Sequence, residues 1–292
     1  MNFANEDKFK AYMKNEAKKL GISATNAYNT YFARDLLSRI NKISFGKVFV
    51  KGSFSEFAHI GQMVRPITDI DFISCSDFEE TVEILKKAMN FQKDSNFTYE
   101  LAREPYQTNT GIYKVHLYAN FGKIHHPISI DFQTNSKFLY STDYKVIKPI
   151  FYGDEYFGVC VPSIEEYIAE KLYIVLSNQK EDVLNTRVKD FYDIWKLLEC
   201  NYVANDVERY FAMMVVDHGK LDLSDLNTDF IDNDYVERHK ETWELVKKKY
   251  EFLDNSVTFS HSVWAAKVML NNQINKFYKQ TGRERVRKIE ED

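Results

Sequence analysis

What most constrains this chain is a pair of short apolar runs carrying a glycine-serine step and two spaced acids. They read Val48-Phe49-Val50-Lys51-Gly52-Ser53 and then, after a spacer, Arg65-Pro66-Ile67-Thr68-Asp69-Ile70-Asp71-Phe72. Both runs predict strands, the first ending in a Gly-Ser turn. Successive side chains of a strand alternate faces, so Asp69 and Asp71 project together, roughly 6 to 7 Å apart, while Ile70 and Phe72 turn into a core. Two carboxylates at that spacing suit a hard divalent cation. Gly52 has no Cβ, so a phosphate can approach the backbone while the amides and the Ser53 hydroxyl donate to it. The stretch is laid out for phosphate and metal.

On these residues alone other readings stay open. Asp-x-Asp also holds a metal in glycosyltransferases that use sugar nucleotides, and paired acids at a strand end can form a solvated edge. The rest of the chain bears on the choice. At 292 residues it is long enough for one large domain or two ordinary ones, and 44% hydrophobic with 15% aromatic residues fits a well-buried globular protein. The formal charge of −4 argues against a protein that coats nucleic acid indiscriminately, though not against a local basic groove. Cys75, Cys160 and Cys200 have no CxxC spacing and read as buried thiols of a reducing compartment. The acidic amino terminus does not resemble a signal peptide and no apolar run approaches 18 residues, so a cytoplasmic protein without a membrane segment is expected.

Helical periodicity predicts helices over 7–20, stopped by Gly21, and over 24–40. Ser76 and Glu79 read as a capping box opening a helix to about Asn90, and strands are expected over 97–103, 111–119 and 127–134. In the last, Ile128, Ile130 and Phe132 share one face, so Ser129, Asp131 and Gln133 share the other. A third carboxylate, Asp131, beside Asp69 and Asp71 would complete a metal triad; the alternative is an exposed acid on a half-solvated strand. His116, His125 and His126 lack ligand spacing and read as surface or packing residues.

Near Pro162 the patterning changes from period two to period 3.6. This predicts an α+β chain: a mixed-sheet lobe over 1–160, then an all-helical lobe over 161–292. Ser163 and Glu166 form a second capping box, and Lys171 interrupts the apolar stripe of the helix that follows. A buried Lys needs an anion or must snorkel out. The next helix, about 187–199, sets Asp190 and Asp193 on one flank with Arg187 a turn earlier. Either these acids line a cleft or they are a salt-bridged surface, Arg187 with Asp190 and Asp193 with Lys189 or Lys196. Helices are expected over about 206–217, 234–253 and 260–280, and a tail from Arg283 holds arginines that could touch RNA.

Taken together and in order, Lys51-Gly52-Ser53, Arg65 to Phe72, Glu166 to Leu172 and Arg187 to Ile194 resemble the AbiEii/AbiGii family of abortive-infection nucleotidyltransferase toxins, within the polymerase-β-type superfamily. The spacer between Ser53 and Asp69 is longer than the family's usual one. The resemblance implies a nucleotidyltransferase lobe and a helical lobe, Mg²⁺ or Mn²⁺, a nucleoside triphosphate donor, an RNA acceptor such as tRNA, and a cognate antitoxin. It assigns Gly52, Ser53, Asp69 and Asp71 to triphosphate and metal, with Lys51, Arg65, Thr68 and Asp193 in support. Lys171 and Asp190 carry over from the motifs of the helical lobe, and Asp131 from the wider superfamily. Lys171 would neutralise the triphosphate, so its loss is expected to weaken transfer and leave the fold intact, and Asp131 or Asp190 would be the base. The competing readings are an aminoglycoside-type antibiotic nucleotidyltransferase, or a nucleotide-binding module with a degenerate site.

Overall fold

The structure is a computed structural model, and it describes residues 3–44, 46–91, 96–134, 139–180, 186–200 and 206–282. The chain divides into two compact units, Met1–Pro162 and Ser163–Asp292. The first carries the strands and the second is helical, which makes the protein α+β. Among the described residues no helix is long and apolar enough to cross a membrane. The tail arginines lie outside the described residues.

The first unit opens with α1 (Glu6–Leu20) and α2 (Ala24–Ser44). The Asn5 side chain accepts from the Lys8 amide at the start of α1, and Gly21 ends it at φ 70. β1 (Val48–Val50) leads into α3 (Gly52–Ile60), then come β2 (Asp69–Ser74) and α4 (Phe78–Met89). The remaining strands are β3 (Thr98–Leu101), β4 (Tyr106–Gln107), β5 (Tyr113–Phe121), β6 (Ile124–Thr134), β7 (Thr142–Ile147) and β8 (Phe157–Pro162). They form one mixed sheet in the order β3-β5-β6-β2-β1-β8-β7, with β4 pairing β5.

One face of the sheet is the core. Val115, Leu117, Ala119, Ile128, Ile130 and Phe132 are at most 3% exposed. Phe9, Phe32, Phe97 and Phe121 meet as tilted and edge-on rings beneath α1 and α2, with centroids 5.0 to 5.7 Å apart. The alternate positions on β5 and β6, among them Lys114, His116, Ser129 and Asp131, are only partly buried. That alternation sets the polar face of β6 where the isoleucine pattern predicts it.

Three local expectations need correcting. Gly52 and Ser53 open a helix rather than a turn, because Phe54, Phe57 and Ala58 fall at helical spacing and are buried. This helix fills part of the long spacer. The cap of α4 is Asp77, whose side chain accepts from the Glu80 amide, in place of Ser76. Cys75, just past the end of β2, is exposed, and Cys160 and Cys200 are half-buried, so the three are not a set of core thiols.

The second unit holds α5 (Ile164–Lys180), α6 (Lys189–Glu199), α7 (Val207–His218), α8 (Asn233–Tyr250) and α9 (Phe259–Thr281). Ser163 caps α5, its hydroxyl accepting from the Glu166 amide at 3.3 Å. The core is again aromatic: Tyr192 stacks on Phe252 at 3.9 Å, and Trp243 packs on both Phe252 and Phe259.

Candidate active site

In the first unit the site grows out of strand register. β2 runs parallel to β6 with Asp69 beside Ser129 and Asp71 beside Asp131. Neighbouring strands lie about 4.8 Å apart, and register partners share a face, so Asp131 flanks Asp71 while Asp69 sits two residues along the same strand. All three acids are partly exposed.

β1 runs antiparallel to β2 on the other side, and the Lys51 amide donates to the Asp71 carbonyl at 2.8 Å. The chain therefore turns into α3 directly beside the Asp71 side chain. Gly52 makes that turn at φ +59, and a Cβ built on it would lie 2.1 Å from Asp71 Oδ2. The glycine thus fits twice over, by backbone conformation and by room for the carboxylate. Its consequence is that the amino end of α3, with its outward amides and positive dipole end, lies against the carboxylate row. Ser53 is the second residue of that helix and is 7% exposed.

Gly52→Ala is expected to cost about 1 to 3 kcal/mol for the left-handed backbone and to displace the Asp71 carboxylate as well. Gly21, at φ +70, has nothing within 4 Å of a built Cβ, so Gly21→Ala measures the strain alone. Unfolding midpoints of the two variants, with Gly52→Ala the lower, check the separation; equal midpoints would contradict it.

The other residues singled out in the sequence fall around this centre. Thr68 is half-buried and its hydroxyl makes a long 3.4 Å contact to Asp69 Oδ1. Arg65, in the loop before β2, is 3% exposed. Lys51, half-buried, precedes the first turn of α3.

A residue that motif reading missed lies across the next strand. β5 pairs antiparallel with β6, Lys114 opposite Asp131, and the Lys114 ammonium donates to Asp131 Oδ2 at 2.5 Å. Burial works to lower the Lys114 pKa, but the hydrogen bond to Asp131 and the charges of Asp131, Tyr106 and Asp71 together outweigh it, so the pKa is raised. The alternation of the 111–119 run was the available signal, since it puts Lys114 and His116 on the face of Asp131. Among the described residues no three His, Cys, Asp or Glu side chains converge as a metal cluster. The carboxylates suit Mg²⁺ or Mn²⁺ by donor chemistry, and Lys114 supplies the positive charge at Asp131.

The histidines pack or hydrogen-bond. His126 lies against Tyr28 and Phe32 with Nε2 2.6 Å from Asn29 Oδ1, and burial pushes its pKa down to about 4. His125 contacts Asn120 and His116 contacts Ser129.

In the second unit Lys171 does not snorkel. Its ammonium sits 2.7 Å from Asp190 Oδ1 and 2.8 Å from Asp193 Oδ2, with both acids fully buried, and Arg187 Nε lies 3.0 Å from Asp190 Oδ2. Of the surface pairing considered from sequence, Arg187 with Asp190 is present, but Asp193 goes to Lys171, while Lys196 pairs with Glu199. The cluster ties α5 to α6. Removing an ammonium held between two buried acids leaves their charge unpaired, so Lys171→Ala is expected to cost stability, against the expectation that it leaves the fold intact.

The sequence profile described as "Nucleotidyl transferase AbiEii toxin, Type IV TA system" matches residues 35–271, most of the chain and both units. The chain belongs to the AbiEii family. As an AbiEii protein it is a nucleotidyltransferase of a toxin-antitoxin family. Among solved structures it is similar to JHP933 from Helicobacter pylori, at 12% identity and a TM-score of 0.50, covering 87% of this chain and 95% of that one. A proposed nucleotidyltransferase from H. pylori matches at 12% identity and a TM-score of 0.48, covering 86% of this chain and 97% of that one. The first of these shows a common fold. No curated protein sequence matches this AbiEii chain.

Proposed function

We propose that this AbiEii protein transfers a nucleotide from a nucleoside triphosphate to an RNA acceptor, with tRNA the first candidate, as the toxin that a cognate antitoxin restrains in the cytoplasm. The observation that carries the reading is the junction at Gly52, where a helix amino end opens against Asp71 and Asp71 stands in register with Asp131. Helix amino ends bind phosphate, and oxygen-rich carboxylate rows bind divalent metal; here the two are adjacent.

The amides at Gly52 and Ser53 and the Ser53 hydroxyl hold the triphosphate, with Lys51 contributing charge beside them. Asp69, Asp71 and Asp131 are the carboxylates that would hold Mg²⁺ or Mn²⁺. When bound, that ion supplies charge neutralisation and polarises the phosphoryl oxygens. The acceptor hydroxyl oxygen bonds to the α-phosphorus, the bond to the β-phosphate oxygen breaks, and pyrophosphate leaves. Of the two candidates for base, the Asp131 side chain is 25% exposed, whereas Asp190 is fully buried between Lys171 and Arg187. Asp131 is the one a hydroxyl can reach, and it takes the proton. Thr68 and Arg65 support the Asp69 end from behind. Lys171, Asp190 and Asp193 enter as the helical unit's charge cluster, carried over from the family motifs, with a first duty of joining α5 to α6.

Incubating the full chain with Mg²⁺, total tRNA and each of the four α-labelled ribonucleoside triphosphates tests the reading. Label in tRNA from at least one donor is expected. No labelled RNA from any donor would contradict it, and label in an added aminoglycoside would select the antibiotic-modifying alternative.

A further inference from the structure

The sheet face that carries the carboxylates continues past them as a straight row. Asp71 on β2 is the register partner of Asp131 on β6, Asp131 of Lys114 on β5, and Lys114 of Tyr106 on β4. Register partners share a face, so these four side chains rise from one side of four consecutive strands. At about 4.8 Å per strand the row spans roughly 14 Å from Asp71 to Tyr106. A second row runs beside it, from Asp69 through Ser129 to His116.

The character of the face changes along these rows from acid to base and aromatic ring. Tyr106 is 38% exposed. Arg103 lies over its ring at 4.4 Å and donates to its hydroxyl at 2.8 Å. The His116 ring lies beside Tyr106, centroids 6.0 Å apart and 21° from parallel, with Nε2 3.4 Å from the Tyr106 hydroxyl. Tyr118, next on the same face of β5, stacks on His125 at 3.7 Å. Of the acids on this stretch, Glu100 lies 3.8 Å from His125, and Glu104, exposed, follows Arg103 in the chain. Flat rings presented by a sheet, flanked by guanidinium and ammonium groups, are the means by which proteins hold unpaired bases and their phosphates.

We infer that this face, from Lys114 through His116 to Arg103 and Tyr106, is the track on which the single-stranded 3′ end of the RNA acceptor lies. The inference rests on the nucleotidyl transfer proposed above and adds where the acceptor runs. Bases stack on the flat surface made by the Tyr106 ring, the Arg103 guanidinium over it and the neighbouring His116 ring, Lys114 meets phosphates, and the row delivers the terminal hydroxyl to Asp131. Proximity gives the arrangement its sense: the track ends at the proton acceptor, one strand from the metal-binding pair.

Binding of a fluorescently labelled 12-nucleotide single-stranded RNA to the full chain, read by anisotropy without nucleotide or metal, tests this track separately from transfer. Tyr106→Ala is expected to weaken binding about ten-fold, the loss of one stacked base. Tyr106→Phe, which keeps the ring, is expected to bind within about two-fold of the parent. Tyr106 is on a two-residue strand at the surface, and a melting curve checks that each variant is folded. Undiminished binding by Tyr106→Ala, equal losses in both variants, equal affinity for a blunt duplex, or no binding by the parent chain would each overturn the inference. If the parent binds this RNA through Tyr106 yet labels none, the track stands and the transfer reading fails; label without dependence on Tyr106 is the converse.

Discussion

Lys171→Met is expected to destabilise the helical unit by about 3 to 5 kcal/mol, the cost of leaving buried charge without its partner. Asp190 and Asp193 are fully buried and both hold the Lys171 ammonium within 2.8 Å. Arg187 remains to Asp190 after the substitution, but it is on the rim, 35% exposed. Domains are stable by only about 5 to 15 kcal/mol, so a loss of this size takes up a large share of the margin. The informative control is the triple variant Lys171→Met with Asp190→Asn and Asp193→Asn. Neutralising an entire buried cluster is commonly tolerated far better than breaking it, so the triple variant is expected to melt above the single one. A single variant that melts with the parent chain would show that the cluster carries little of the fold. The practical consequence is that lost activity in a Lys171 variant has to be corrected for lost folded protein before any role at the triphosphate is assigned.

Much of the architecture is legible in residue periodicity. The alternation in 127–134 sets the face of β6, the period-3.6 stripes set α1, α2 and α5, and the change of pattern near Pro162 coincides with the boundary between the units. The features that escape are those decided by context. α3 is short and follows a glycine, and it was hidden because a Gly-Ser step before a spacer reads as a turn until Phe54, Phe57 and Ala58 are seen to be buried together. β7 alternates exposed and half-buried residues and has no strong apolar run, while β4 is only two residues long. For the candidate site, i and i+2 spacing is enough to place Asp69 and Asp71 on one face. It cannot give the register that sets Asp131 against Asp71, nor the one that sets Lys114 against Asp131, because pairing between strands distant in sequence is fixed by the packed sheet. Lys171 illustrates the same limit in a helix: its place in an apolar stripe is visible, but the two acids that receive it are known only once α5 and α6 are packed.

Replacing Asp71 by Asn keeps the size of the side chain and removes the negative charge at the centre of the proposed site. Its neighbours are the amino end of α3 on one side and Asp131 on the other, so the change removes a proposed metal ligand while disturbing little of the packing. Losing an electrostatic contribution of about 3 kcal/mol corresponds to at least about a 10²-fold fall in rate. Asp69→Asn is expected to behave alike, since both acids face the same way. Toxicity, if it comes from this chemistry, must fall with it. The most direct measurement is therefore transfer of α-labelled nucleotide to tRNA by parent and Asp71→Asn proteins at equal folded concentration, paired with growth of cells expressing each at equal level. Labelled tRNA and arrested growth are expected with the parent, and at least about 10²-fold less label with relief of arrest for Asp71→Asn; an Asp71→Asn protein that labels tRNA and arrests growth as the parent does would rule out metal-dependent nucleotide transfer at this site.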